Sequence, residues 1–322
     1  MSIADALALF YATLKVSVPT FAWVVLGLLL HRVGALSDAL IKRISRLAFN
    51  FGLPVMLFAG AAQVDYANVG NARYLLAGVL ATLLTLTLSW IYSRWRGHPR
   101  ELQGIFVQAA FRSNLAIVGV ALAVAAYGER GPVLAALPVA LMTALYNVLA
   151  VWVLNTTLGI GTSVMLLLQG IARNPLIIGI AAGVALSVSG LPVPAFVVPL
   201  SSGLSVFFLP LMLVCIGGSM KLSDLRSAGA ITWEATFWRL CLGPLLGVML
   251  ALAIGVSGEQ LGVLFLLLSA PVAASSFVMV VAAKGDGVLA ANIVVLSTLL
   301  SIVTVTAGFF LLSLFSLVGQ LH

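Results

Sequence analysis

Phe51-Gly52-Leu53-Pro54-Val55-Met56-Leu57 returns 156 residues later as Phe207-Phe208-Leu209-Pro210-Leu211-Met212-Leu213. The same offset carries Pro19, Gly27 and Gly34 onto Pro175, Gly183 and Gly190. Val133-Leu134-Ala135-Ala136 recurs as Val288-Leu289-Ala290-Ala291 at an offset of 155, with Thr143 and Thr298 in register, and Gly128-Glu129 falls against Gly285-Asp286 at 157. Leucine and alanine matches mean little in so apolar a chain. Proline is only 12 of 322 residues, so two proline pairs and two glycine pairs at one offset point to an internal repeat rather than to composition.

The repeat is built of apolar runs. The chain is 62% hydrophobic and 8% charged, against roughly 25% charged in soluble domains, with a mean hydropathy of +1.19. Lipid is the solvent that suits it. A spanning helix needs about 20 apolar residues, and runs of that size lie near 12–31, 44–62, 73–93, 103–126, 132–155, 170–189, 196–219, 231–255, 260–282 and 288–316. They consume nearly the whole chain, so no soluble domain is expected. A water-soluble bundle would need polar outer faces at helical period, which are missing. Each half holds five spans, an odd number, so the halves lie in opposite senses. The expected fold is therefore an all-α polytopic membrane protein of ten transmembrane helices, in two inverted five-helix repeats, 1–158 and 164–322. Inverted repeats of this kind put a binding site near the midplane, at broken helices.

Loop charge orients the chain. Arg32, Lys42, Arg43, Arg46, Arg94, Arg96, Arg100, Arg173, Lys221, Arg226 and Lys284 fall on one side, against Lys15, Arg73 and Arg130 on the other. That bias predicts an inner, plasma-membrane protein with both termini outside. The net charge of +7 is not gathered into a stripe interleaved with aromatics, so nucleic acid is not an expected partner. Cys215 and Cys241 sit in apolar runs and read as packing residues. No metal-ligand spacing and no cofactor motif occurs. No basic region precedes the first apolar run, so no cleavable secretory signal is expected.

Four short motifs occur in order along the chain: Asn50-Phe51-Gly52-Leu53-Pro54; Phe111-Arg112-Ser113-Asn114 with Gly119; Arg173-Asn174-Pro175-Leu176 with Gly183; and Ala270-Pro271-Val272-Ala273-Ala274-Ser275-Ser276. With the five-plus-five repeat, they make the chain resemble the auxin efflux carrier family of bacterial transporters, which is similar in fold to bile-acid/sodium symporters. The resemblance implies a scaffold of spans 1, 2, 6 and 7. It implies a moving transport domain of spans 3–5 and 8–10, with spans 4 and 9 broken and crossing at midplane. It also implies a small organic anion as cargo: a carboxylate, a dicarboxylate or an auxin-like acid. Family members often carry a proline near Ala121 that this chain lacks, so span 4 is expected to break at Asn114 and Gly119 instead.

A broken helix presents free N–H groups and the positive end of its dipole to an anion. Asn114 tolerates irregular backbone, and Pro271, opposite it at offset 157, lacks an N–H and opens its helix. Ser113 adjoins the first break, and Ser275 and Ser276 follow the second. Arg112 lies near mid-depth, where a charge faces a cavity or a partner. Asn147 and Asn50 are further candidates for the same cavity. Each has a plainer reading: helix packing for the asparagines and serines, a kink for Pro271, and an ion pair with Glu234 for Arg112. Arg239 and Glu234 read as boundary or pairing residues. No acidic residue sits clearly at midplane, so coupling to Na+, to H+ or to potential alone stays open, as does a homodimer.

Competing classes are weaker. Gly255-Val256-Ser257-Gly258 matches a rhomboid-type serine motif, but His31, His98 and His322 lie at loops or the terminus, where no base can serve a buried serine. Gly285-Asp286 lacks the preceding glycine and the partner aspartate of aspartyl intramembrane proteases. An uncoupled channel, and a sodium-coupled bile-acid-like symporter, remain as alternatives.

Overall fold

The structure, a computed structural model, describes residues 3–63, 71–159, 165, 169, 172–220 and 228–319. In chain order the helices are α1 (Ile3–Arg32), α2 (Asp38–Ala62), α3 (Asn71–Trp95), α4 (Arg100–Phe111), α5 (Leu115–Tyr127), α6 (Arg130–Leu158), α7 (Pro175–Val188), α8 (Val197–Gly218), α9 (Ala230–Ala253), α10 (Gly258–Ser269), α11 (Ala274–Ala282) and α12 (Gly287–Leu314). Among the described residues the one β pairing is an isolated antiparallel bridge between Ser113 and Val272.

Seven of these helices, α1, α2, α3, α6, α8, α9 and α12, are long and apolar enough to cross a membrane. The other three expected spans differ for two reasons. Two are split, into α4 and α5 and into α10 and α11, so neither piece reaches spanning length. The third is the 14-residue α7. The expected repeat boundary near 158–164, and Lys221 and Arg226 of the charge bias, lie outside or at the edge of the described residues.

Lipid tails are as apolar as leucine, so helices associate through close packing, and small residues set how close. A Cβ on Gly27 of α1 would collide with the Val214 carbonyl of α8, and one on Gly183 of α7 with the Phe58 carbonyl of α2. Both members of the second contact stand 156 residues from their counterparts in the first. Gly34 and Gly190 each follow a helix at φ of +78° and +70°, a left-handed turn that glycine adopts without steric cost. Helix α1 thus packs most extensively on α8 and α2 on α7, and one continuous apolar core runs through these four helices and through α3–α6 and α9–α12.

Two prolines shape the helices locally. Pro54 and Pro244 lack the N–H that would reach back four residues, and their rings crowd that carbonyl. In each case the preceding turn widens to a π turn, Ala48–Gly52 before Pro54 and Trp238–Leu242 before Pro244. Such turns rotate the side chains within them relative to the regular helix. Asn50 and Arg239 are the polar residues so displaced.

Candidate functional site

The two split helices meet. Helix α4 ends at Phe111, and Arg112 (φ −86°, ψ 90°) and Asn114 (φ −80°, ψ 59°) leave helical geometry. Helix α10 ends before Ala270, which the following proline holds extended at ψ 146°. The breaks then satisfy each other: Asn114 N–H donates to Pro271 O at 2.7 Å, and Ala273 N–H donates to Arg112 O at 3.2 Å. The N–H of Val272 donates to Ser297 Oγ of α12 at 3.1 Å. This is how a membrane-embedded irregular backbone avoids unmet polar groups. Gly119 is not part of the break. It closes the π turn Leu115–Gly119, and a Cβ there would press on Leu267 of α10 at 2.9 Å. Its role is to let the broken helices cross closely.

Beside the crossing lies a cavity of about 610 Å³, lined from α2, the two breaks, α6, α7 and α8. That volume is in the range of small-molecule sites. Of the expected residues, Arg112, Ser113, Asn114, Asn147, Asn50 and Ser275 line it. Pro271 and Ser276 do not. Pro271 acts through its carbonyl, and Ser276 is buried in the protein interior with no partner for its hydroxyl. The cavity extends to Arg46 and Ser219, both exposed, where α2 begins and α8 ends.

Arg112 is 7% exposed. Its Nη2 donates to Asn147 Oδ1 at 2.9 Å and to Ser275 Oγ at 3.1 Å. Its Nε and Nη1 have no hydrogen-bond partner. Among the described residues no carboxylate lies within ion-pair distance of it. The anticipated ion pair with Glu234 is absent, because Glu234 holds Arg96 Nη2 at 2.8 Å and His98 Nε2 at 3.1 Å, with the Tyr92 hydroxyl at 3.2 Å. The Asn114 side chain lines the cavity and does not cap α5. Residues at the N-terminal ends of α5, α11 and α7 also line the cavity, so the positive ends of three helix dipoles lie beside it.

A bundle of apolar helices, several long enough to span a membrane, agrees with what sequence comparison finds. The model of the membrane transport protein family, that of the auxin efflux carriers, matches residues 13–166 and 158–308. The chain belongs to that family. It is a multi-pass membrane transporter. No individually curated protein matches it.

Three residues of the transporter's crossing were not anticipated from the sequence. Tyr146 of α6 lines the cavity with its hydroxyl 3.2 Å from Ser113 Oγ. Asn174 lines it while its Oδ1 caps α7, accepting from Leu176 N–H at 2.9 Å; the Asn-Pro pair is a recognisable helix start and could have suggested this. Arg239 is 1% exposed, neither a boundary residue nor paired with Glu234. It donates from Nη1 to Ala110 O at 3.1 Å and from Nη2 to Leu268 O.

Proposed function

We propose that this transporter carries a small organic anion across the inner membrane by alternating access, binding it in the cavity at the crossing of the broken helices. The observation that carries this reading is Arg112, a buried cation lining the cavity with unpaired N–H groups and, among the described residues, no carboxylate beside it. Burying a guanidinium without a partner is costly. An anion entering the cavity would supply the missing charge-assisted hydrogen bonds, and the three helix N-termini favour the same sign. The amides of Asn50, Asn114 and Asn147, with Ser113 and Ser275, would orient a carboxylate, a dicarboxylate or an auxin-like acid.

The repeat supports the mechanism. The paired contacts of Gly27 with Val214 and of Gly183 with Phe58, and the left-handed Gly34 and Gly190, support two inverted repeats of five spans, 1–158 and 164–322, ten spans in all. On this reading α1, α2, α7 and α8 are the scaffold, and α3–α6 with α9–α12 are the moving domain. The cavity opens toward the side rich in basic residues, so this conformation faces inward, with both termini outside. On the far side a smaller cavity of about 220 Å³ lies near Gln63, Glu129 and Ser202, closed off where Gly60 of α2 abuts the Pro132 carbonyl of α6.

Among the described residues no Asp or Glu lines the main cavity, so a carboxylate proton relay has no carrier there. The test is uptake into proteoliposomes of purified protein, with carboxylates, dicarboxylates and indole acids as candidate cargo, and with Na+, pH and potential set separately. Saturable anion uptake supports the reading, and the gradient it requires names the coupling. Folded protein that moves none of these anions under any gradient overturns it.

A further inference from the structure

Breaking two helices inside a membrane creates two C-terminal ends as well as two N-terminal ends. Each C-terminus exposes carbonyls without intrahelical donors and carries roughly half a negative elementary charge. Here those ends, of α4 at Phe111 and of α10 at Ser269, stop at the crossing beside a cavity lined by Arg46, Arg112 and three helix N-termini, with the C-terminal end of α8 as the opposing feature. Left uncompensated, they would oppose an anion there.

Arg239 is placed to compensate them. Its two terminal nitrogens reach one carbonyl from each end, Ala110 O and Leu268 O, which are 129 and 29 residues away in sequence. The guanidinium is buried and has no carboxylate partner among the described residues. It does not line the cavity. The π turn Trp238–Leu242, forced by Pro244, presents it at this point on α9. A lysine there would offer the charge without the fork that spans two carbonyls.

We propose that Arg239 is a positioning residue that neutralises the C-terminal ends of both broken helices, and so leaves the cavity at the crossing with a net positive potential that selects anions. It touches no cargo. One unit of positive charge matches two half-charges, and what remains is Arg46, Arg112 and three helix N-termini against the C-terminal end of α8. As a statement about charge selection it rests on the anion reading above, but the potential itself can be measured without any transport.

The experiment places a reporter cysteine at Thr143, which lines the cavity, with Cys215 and Cys241 replaced by serine. The rate of modification by an anionic thiosulfonate is divided by that for a cationic thiosulfonate of similar size. Arg239→Gln lowers this ratio by roughly tenfold or more, the scale of one lost charge in a poorly screened interior, and Arg239→Lys keeps it within about threefold of the parent because the charge stays. In uptake assays Arg239→Gln raises the KM for an anion more than it lowers kcat, a split that loose packing alone would not produce. A folded Arg239→Gln with an unchanged ratio overturns the proposal. If that variant does not fold, a folded Arg239→Lys that loses the ratio overturns it equally, since fork geometry rather than charge would then set the potential. A ratio that follows the charge at 239 in a protein that transports no anion sustains the proposal and sinks only the anion-transport reading.

Discussion

The backbone N–H of Asn114 donates to the carbonyl of Pro271 at 2.7 Å, joining two helix breaks that stand 157 residues apart in sequence. The bond is made by main-chain atoms, so the crossing and the cavity chemistry can be separated by mutation. Asn114→Ala keeps the bond and removes the amide from the cavity. It should leave the thermal unfolding midpoint in detergent nearly unchanged while lowering anion uptake roughly tenfold or more, the loss of one or two hydrogen bonds to a charged group. Asn114→Pro removes the donor and should unfold the crossing. Wild-type uptake by Asn114→Ala would remove its side chain from the site.

Arg112 should matter through both charge and shape. Arg112→Ala is expected to raise the KM for a carboxylate about a hundredfold, consistent with losing charge-assisted hydrogen bonds worth roughly 1.5–3 kcal/mol. Arg112→Lys should fall between, because an ammonium cannot hold Asn147 and Ser275 while presenting a second pair of donors. Equal KM values for the two variants would mean that the charge itself does nothing.

The glycine contacts predict matched stability losses. Gly27→Val and Gly183→Val each force a side chain onto a neighbouring backbone carbonyl, and each should cost about 1–3 kcal/mol or more. Gly203→Ala, which meets nothing within 4 Å, is the control and should be neutral. Thermal unfolding in detergent reads all three. A tolerated Gly27→Val would show that α1 and α8 can separate without penalty.

Glu234 should be a stability residue, not a transport residue. It collects Arg96, His98 and Tyr92 at one end of α3 and α9. Arg96 is half exposed and contributes little; the buried His98, with Ser93 Oγ at 3.0 Å, loses more. Glu234→Ala should cost about 1–2 kcal/mol with the KM unchanged. A changed KM with unchanged stability would reverse the assignment.

Gly60 tests the closed side. A Cβ there would strike the Pro132 carbonyl at 2.6 Å, so Gly60→Ala should wedge α2 from α6 and favour the opposite-facing state. A cysteine replacing Ser202, whose hydroxyl bonds Glu129 at 3.0 Å, should then react faster with thiol reagents added from that side. Slower or equal labelling would place the seal elsewhere.

Several residues of the cavity lining were expected from the chain. Arg112, Asn114 and Asn147 stand out because charged and amide side chains are rare in apolar runs, Ser275 follows the break at Pro271, and the structure brings all four to one cavity. Pro271 and Ser276 were legible as neighbours of a break but not by role, since only the paired backbone shows that the proline contributes a carbonyl and that the second serine turns inward. Tyr146 and Arg239 could not be read. Tyr146 looks like any aromatic of a membrane helix, and Arg239 looks like an interfacial charge until a π turn swings it toward two carbonyls on other helices.

Solvent, helicity and the spacing of prolines and glycines are properties of short stretches, and the chain alone sufficed for them. Hydropathy reports the medium, because each apolar residue adds its own transfer free energy. Proline and glycine act on the backbone where they stand. The main-chain pairing of the two breaks, and the contacts that Tyr146 and Arg239 make at the crossing, came only from the tertiary structure. Those depend on two segments 157 residues apart completing each other's hydrogen bonds, and on one buried guanidinium closing both of their ends. No local stretch encodes such a pairing, because its energy exists only once the segments meet.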